Sequence, residues 1–142
     1  MKNPSPAIRQ YCTEHGFSEM VREGGLDYLL EGWRMTVSEV VEGYTGLFDE
    51  YLNEMDGRKI IDELLPLADV KERETVEAFL PSLDDRFIQA TLPTDSFIWG
   101  ENVAQKHDYQ PGRDWWYYRI PSNLDHVEDI DAWPKQAAEN GI

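Results

Sequence analysis

The sequence has a single cysteine, few basic residues and no long apolar run. Because Cys12 has no second cysteine to pair with, an internal disulfide is excluded, which suits a reducing compartment. No apolar stretch approaches the length that spans a bilayer, and the first nine residues lack the apolar core of a signal peptide. These features predict a cytoplasmic protein without a membrane segment, in which Cys12 packs on a helix as a small apolar side chain.

The short motifs that carry well-known chemistry are also missing. The chain has no glycine-rich phosphate loop followed by lysine, no His-Glu-x-x-His pair and no Gly-x-Ser-x-Gly elbow. Asp or Glu stands beside His107 and His126, but a chain with 28 acids places such neighbours by chance. We therefore expect no catalytic residue, no metal ion and no cofactor.

Basic residues are scarce against the acids, with 13 Lys and Arg, 28 Asp and Glu and a net charge of -15. The excess is spread over the chain, since 17 acids and 8 bases fall in residues 1–81 and 11 and 5 in residues 82–142. Such a surface repels phosphate backbones and anionic lipid, which argues against direct binding of nucleic acid or membrane. It favours a basic protein partner, although acidity also serves solubility alone.

The apolar content is high enough for a folded core. Apolar residues make up 41% of the chain and aromatic residues 12%, which excludes a disordered protein. The 142 residues fit one domain, and no repeat or linker divides them. We predict a mostly α-helical α+β fold in a single domain covering residues 1–142.

Apolar residues at three- and four-residue steps predict a bundle of about five to six helices over residues 6–91. The clearest is a long amphipathic helix over 26–43, preceded by a short turn over 19–23 that ends at Gly24 and Gly25. Asp69 and Glu72 form a capping box, and Pro81 separates two helices. The predicted helices cover 6–15, 26–43, 45–54, a segment that begins at Asp56, 70–80 and 83–91.

The pattern changes after Pro93. Residues 96–99 and 114–120 are rich in aromatic side chains, which favour strands, and we predict that they pair as a small β-hairpin around a polar loop over 100–113. Short helices are predicted towards the end of the chain, the last over 134–140.

Two groups of residues are candidates for binding. Alternation along the predicted strand places Trp115, Tyr117 and Arg119 on one face, and these residue types are enriched at binding hot spots. If that face is not covered by the core, it is available for contact. The second group is an acidic and aromatic patch at Glu50, Tyr51 and Glu54, near which Arg58 and Lys59 are expected to form ion pairs with Glu50, Glu54 or Asp62.

These features favour a small binding protein over an enzyme. Its size, acidity and lack of catalytic motifs give it the general character of small acidic bacterial immunity proteins or antitoxins, an analogy of class without a matching motif. The alternative is an enzyme or small-molecule-binding domain with a pocket between the helices and the hairpin, using His107 and Arg113 together with Asp108 or Tyr109. A nucleic-acid mimic is a further alternative. The aromatic content also favours a homodimer.

Overall fold

Four α-helices form the main body of the molecule in the computed structural model, which describes residues 4–134. The fold is mostly α-helical with one small sheet, as the sequence predicted. The helices are α1 (Pro6–Glu14), α2 (Glu19–Glu42), α3 (Phe48–Leu64) and α4 (Val70–Gln89), with a 3₁₀ turn at Leu65–Leu67.

Helix α2 includes the turn predicted over 19–23 and the long helix predicted over 26–43, joined at a kink. The side chain of Ser18 accepts a hydrogen bond from the Val21 amide at 3.4 Å and caps the beginning of α2. Gly25 is not helical, with a φ of 56° in the left-handed region, and its kink divides α2 into two helical parts where the sequence predicted a boundary. A Cβ on Gly25 would stand 2.8 Å from the ring of Pro4, so the absence of a side chain at Gly25 also leaves room for Pro4.

Helix α3 joins two predicted helices, and the boundary expected at Asp56 is wrong. Gly57 lowers helix propensity by only about 1 kcal/mol, whereas one buried stripe runs through both halves of the helix. The side chain of Asp56 accepts a hydrogen bond from Tyr117 instead of capping a new helix. The buried residues of α3 are Tyr51, Leu52, Met55, Arg58, Ile61 and Leu64.

Helix α4 likewise passes through Pro81, which the sequence predicted as a break. Pro81 is exposed, so its ring points away from the core, and the buried positions Val76, Leu80, Leu83 and Phe87 continue on both sides of it. Burial of this stripe outweighs the cost of about 3 kcal/mol that an internal proline brings. The predicted capping box at the beginning of α4 is confirmed, with both the Asp69 and the Glu72 side chains bonded to backbone amides.

The two strands lie elsewhere than predicted. Strand β1 (Thr91–Pro93) pairs antiparallel with β2 (Arg119–Pro121), and Leu92 stands opposite Ile120. Residues Trp115–Tyr118 form a 3₁₀ helix, in which the consecutive side chains of Trp116 and Tyr117 are both fully buried. An alternating strand would have sent them to opposite faces.

The remaining connections carry short helices. The predicted polar loop contains α5 (Glu101–His107), and residues 96–99 form no strand. A 3₁₀ turn at Ile130–Ala132 follows β2. The helix predicted over 134–140 begins at the last described residue, so it lies outside the part of the chain that the structure describes.

The buried Arg58 and its partner Asp84 contact residues of α2, α3 and α4. Arg58 of α3 is 5% exposed and donates from Nε and Nη2 to the two carboxylate oxygens of Asp84 in α4, at 3.1 and 2.9 Å. Asp84 also accepts from the indole Nε1 of Trp33 in α2 at 3.0 Å. The guanidinium lies 4.5 Å from the ring centroid of Trp116, and its Nη1 donates to Asp62 at 2.6 Å. Pairing with Asp62 was among the alternatives predicted.

We expect the substitution Asp84→Ala to lower the free energy of unfolding by about 3 kcal/mol, because it leaves the buried Arg58 with a single carboxylate and frees the Trp33 indole. Urea unfolding at neutral pH measures this change. The neighbouring Asp85 is exposed and provides the matched control, and Asp85→Ala should change stability by less than about 0.5 kcal/mol. Equal effects of the two substitutions would show that the Arg58 pair does not govern stability.

Candidate functional site

Two of the predicted contact residues are core residues. Tyr51 and Tyr117 are 0% exposed, which corrects the expectation that they lie on a binding face. The Tyr51 hydroxyl donates to the carbonyl oxygen of Arg119 at 2.7 Å, and the Tyr117 hydroxyl donates to Asp56 at 2.5 Å. Both aromatic rings thus fix the C-terminal segment against α3.

Trp115 and Arg119 do not share a face with Tyr117 either, because the segment is not a continuous strand. Trp115 is half-buried with its ring centroid 6.0 Å from that of Phe87. The Arg119 guanidinium donates to the carbonyl oxygens of Ile88 and Thr91 and to the Thr91 hydroxyl, and so satisfies acceptors at the end of α4.

His107 and Arg113, predicted to line one pocket from the loop over 100–113, differ in their surroundings. His107 is exposed in the last turn of α5, with its ring 5.8 Å from that of Tyr109. Arg113 is half-exposed and forms an ion pair at 3.0 Å with Asp114, whose side chain is fully buried. Arg113 lines a pocket with residues of α3 and α4, whereas His107 is exposed.

Two segments that contact each other are rich in acidic residues and contain no lysine or arginine. Residues 35–57, at the end of α2 and the beginning of α3, contain no Lys or Arg, and neither do residues 120–134. We call these two segments the acidic end. They carry ten acids: Glu39, Glu42, Asp49, Glu50, Glu54, Asp56, Asp125, Glu128, Asp129 and Asp131.

Direct contacts hold the two segments of the acidic end together. Asp129 accepts a hydrogen bond at 2.9 Å from the backbone amide of Phe48, and thereby caps the beginning of α3 from 81 residues away. The buried ring of Trp133 lies within 5.6 Å of the rings of Tyr44, Phe48 and Tyr51. The acids of both segments therefore belong to one continuous region.

Crowding at the acidic end perturbs Glu54. Burial, followed by the charges of Glu39 and Glu50, raises the pKa of Glu54 to about 7, although a hydrogen bond from the Tyr44 hydroxyl at 2.7 Å opposes the rise. Burial and the neighbouring Glu54 also raise the pKa of Tyr44. Glu50 itself is exposed, so of the predicted acidic patch, Glu50 lies at the surface, Glu54 is half-buried and Tyr51 is internal.

A second region gathers basic side chains, and sequence reasoning had found only one of them. Lys59, Arg73 and Arg113 line an open pocket of about 670 Å³ between α3, α4 and the loop after α5. Arg58 or Lys59 was expected to pair with Glu50, Glu54 or Asp62; Arg58 pairs with Asp62, whereas the Nζ of Lys59 bonds to Asp114 at 2.6 Å. Burial alone would raise the pKa of Asp114, but hydrogen bonds from Lys59, the Gln110 amide and Arg113 hold it below its ordinary value.

Similarity to known proteins gives no further guide to this chain. Family models, curated proteins and solved structures yield no match. No helix between residues 4 and 134 is long and apolar enough to cross a bilayer. Within the same residues, no three His, Cys, Asp or Glu side chains are grouped so that they could hold a metal ion.

The raised pKa of Glu54 predicts a pH-dependent contribution to stability. Because the folded pKa of about 7 exceeds the ordinary value of 4.5, the folded state binds the proton more tightly than the unfolded chain does. The Glu54 contribution is therefore fully present below the ordinary pKa, is lost as pH rises to about 7 and changes little above that.

We expect Glu54→Gln, which mimics the protonated form, to be more stable than the wild type at pH 8 and about equal to it near pH 4.5. Urea unfolding of both proteins across this range measures the difference. Glu50→Gln is the control at an exposed neighbouring carboxylate and should show a much flatter difference. If the difference in unfolding free energy between Glu54→Gln and the wild type were the same at every pH, protonation of Glu54 would not be coupled to folding.

Proposed function

We propose that this protein is a binding protein whose acidic end covers a basic surface of a protein partner, as an inhibitor, immunity protein or antitoxin does. The observation that carries the proposal is that two contacting segments hold ten acids, seven of them exposed, and no Lys or Arg. A surface of one charge sign attracts a partner of the opposite sign, speeds their encounter and selects against acidic competitors.

The acidic end also presents apolar side chains that suit a protein contact. Val41 is 48% exposed, Leu47 43% and Ile130 53%. Leu47 and Ile130 immediately adjoin Phe48 and Asp129, the two residues that link the segments. Exposed apolar groups within a polar surround are the usual composition of an interface, and they favour a folded protein over a small cation as the occupant.

The electrostatics at the end of α2 is unfavourable without a partner. Glu39 and Glu42 lie in the last turn of this helix, where the macrodipole is negative, and that turn contains no basic residue. Burial is the main cause of the raised pKa of Glu54, and the negative charges of Glu39 and Glu50 add to it. A cationic partner would relieve this repulsion, so part of the binding free energy would come from strain already present in the free protein.

Several basic side chains form their bonds with groups outside the acidic end. They bond to the protein itself and compensate no exposed acid at the acidic end. These are Arg58, Lys59, Arg73, Arg113 and Arg119.

The test compares two triple variants of equal charge change as bait. The first neutralises exposed acids of the acidic end, Glu42→Gln, Asp49→Asn and Glu128→Gln, and the second neutralises exposed acids of α4, Glu74→Gln, Glu77→Gln and Asp85→Asn. We expect the wild type and the α4 variant to capture the same basic protein from the source organism at low salt. The acidic-end variant should bind that purified protein at least about tenfold more weakly, as lost charge pairs at an interface imply.

Three outcomes would count against the proposal: capture of no basic protein, equal weakening by both triple variants, or binding that does not weaken with salt. Calorimetry with the purified partner provides the affinities. Release of the partner by duplex DNA would identify its nucleic-acid site as the covered surface, and would favour the mimic over an inhibitor that covers another basic surface.

We also expect Leu47→Ser combined with Ile130→Ser to weaken the same complex while leaving the fold intact, because both side chains are about half exposed. The expected loss is about tenfold in affinity, expressed mainly in a faster dissociation rate, since apolar contacts act after encounter. Surface plasmon resonance separates the two rates. Val70→Ser, at a still more exposed apolar residue of α4, is the control and should leave the complex unchanged.

A further inference from the structure

We infer that the pocket lined by Lys59, Arg73 and Arg113 is a binding site for a small organic anion that carries a carboxylate or phosphate group. We call it the cationic pocket. Three cations from separate parts of the chain meet there, in a protein whose acids outnumber its bases by 28 to 13. This inference is independent of the proposed partner at the acidic end, which involves other residues.

The cations of the cationic pocket are already held in place. Lys59 and Arg113 both bond to the fully buried carboxylate of Asp114, at 2.6 and 3.0 Å, and Arg73 donates to the carbonyl oxygen of Leu65 at 3.1 Å. Long basic side chains normally lose much rotamer entropy when they bind a ligand. Here the fold has already ordered them, so little entropy remains to be lost.

The same side chains retain hydrogen-bond donors beyond these contacts. A lysine ammonium has three donors and an arginine has five. Within residues 4–134, the Lys59 ammonium has one hydrogen bond, to Asp114, and the Arg73 guanidinium one, to Leu65. Their remaining donors can therefore bind an oxyanion, and a guanidinium can do so in a bidentate manner.

Two carboxylates, Asp62 and Glu63, also line the cationic pocket. Asp62 forms an ion pair with Arg58 at 2.6 Å, and Arg58 is shared with Asp84, so the charge of Asp62 is compensated in part. Glu63 is half-buried, and burial raises the pKa of this carboxyl although Lys59 and His15 oppose the rise. Asp114 in turn compensates part of the charge of Lys59 and Arg113, whereas Arg73 forms no ion pair within residues 4–134, so Arg73 is the cation with most charge left for a ligand.

The remaining walls favour an organic molecule over a bare ion. Leu65 and Pro66 line the pocket, and the Lys59 ammonium lies 5.2 Å from the centroid of the Tyr109 ring. The volume of about 670 Å³ falls within the range of ordinary small-molecule sites. Apolar walls beside fixed cations suit a ligand with a compact carbon skeleton and one or two acidic groups.

The inference is tested by titrating the full-length protein with citrate and, separately, with inorganic phosphate at constant ionic strength. Amide chemical shifts report the site by nuclear magnetic resonance. We expect saturable shifts centred on residues 59–73 and 109–114, with a dissociation constant of about 1 mM or below for the better probe. Tighter binding of citrate would identify a carboxylate ligand, and tighter binding of phosphate would identify a phosphorylated one.

Arg73→Gln should raise the dissociation constant about tenfold, since it removes a charged donor from the cationic pocket. Arg86→Gln changes the net charge equally at an exposed position of α4 and should have less than about a twofold effect. Arg73→Lys restores the charge and should recover part of the affinity, which a loss of folding would not allow. Absence of saturation by either probe at about 10 mM, or equal weakening by both Gln variants, would overturn the inference.

Discussion

The ion pair between Arg58 and Asp84 is the interaction on which the arrangement of the helices depends. A buried arginine is costly to desolvate, so it persists only where its donors are satisfied and its plane is covered. Asp84 supplies both carboxylate oxygens, Asp62 accepts another donor, and the Trp116 ring covers the guanidinium. Trp33 donates to the same Asp84. Residues of α2, α3 and α4, together with Trp116, therefore all contact the Arg58–Asp84 pair.

Several of the few basic residues form hydrogen bonds inside the fold, as Arg58 does. Hydrogen bonds outweigh burial and hold the pKa of Arg58 above its ordinary value, so it stays charged in the interior. Lys59 and Arg119 likewise bond to groups 55 and 28 residues away. These three bases thus serve contacts between distant parts of the chain, and most of the described acids are exposed. A surface of one sign at the acidic end is a consequence of this division.

The sequence predicted which segments are helical better than it predicted where they end. Pro81 and Gly57 are local signals for a break, but the apolar positions on each side of them share one buried stripe, and burial outweighs local propensity. Residues Trp115–Tyr118 were predicted as part of a strand from their β-propensity, but they form a 3₁₀ helix that contacts α3. The Trp116 indole, for example, donates to the carbonyl oxygen of Met55.

For the candidate sites too, the sequence shows the segments involved but not which of them contact each other. The gap in basic residues between Arg34 and Arg58 is visible in the sequence, and so is the gap after Arg119. That the two gaps form one surface depends on the bond from Phe48 to Asp129, which no spacing reveals. Lys59, Arg73 and Arg113 meet only because α3, α4 and the loop after α5 converge, so the sequence pointed to Arg113 without its partners.

Helices α2 and α3 differ in how well their charges suit them, and this difference bears on function. Asp49 and Glu50 in the first turn of α3 complement its dipole, so acids there serve the fold as well as the surface. Glu39 and Glu42 in the last turn of α2 oppose its dipole, and Glu39 also disfavours ionisation of Glu54. Residues that conflict with local stability are expected where function requires them. The last turn of α2 is therefore the part of the acidic end that stability explains least and a basic partner explains best.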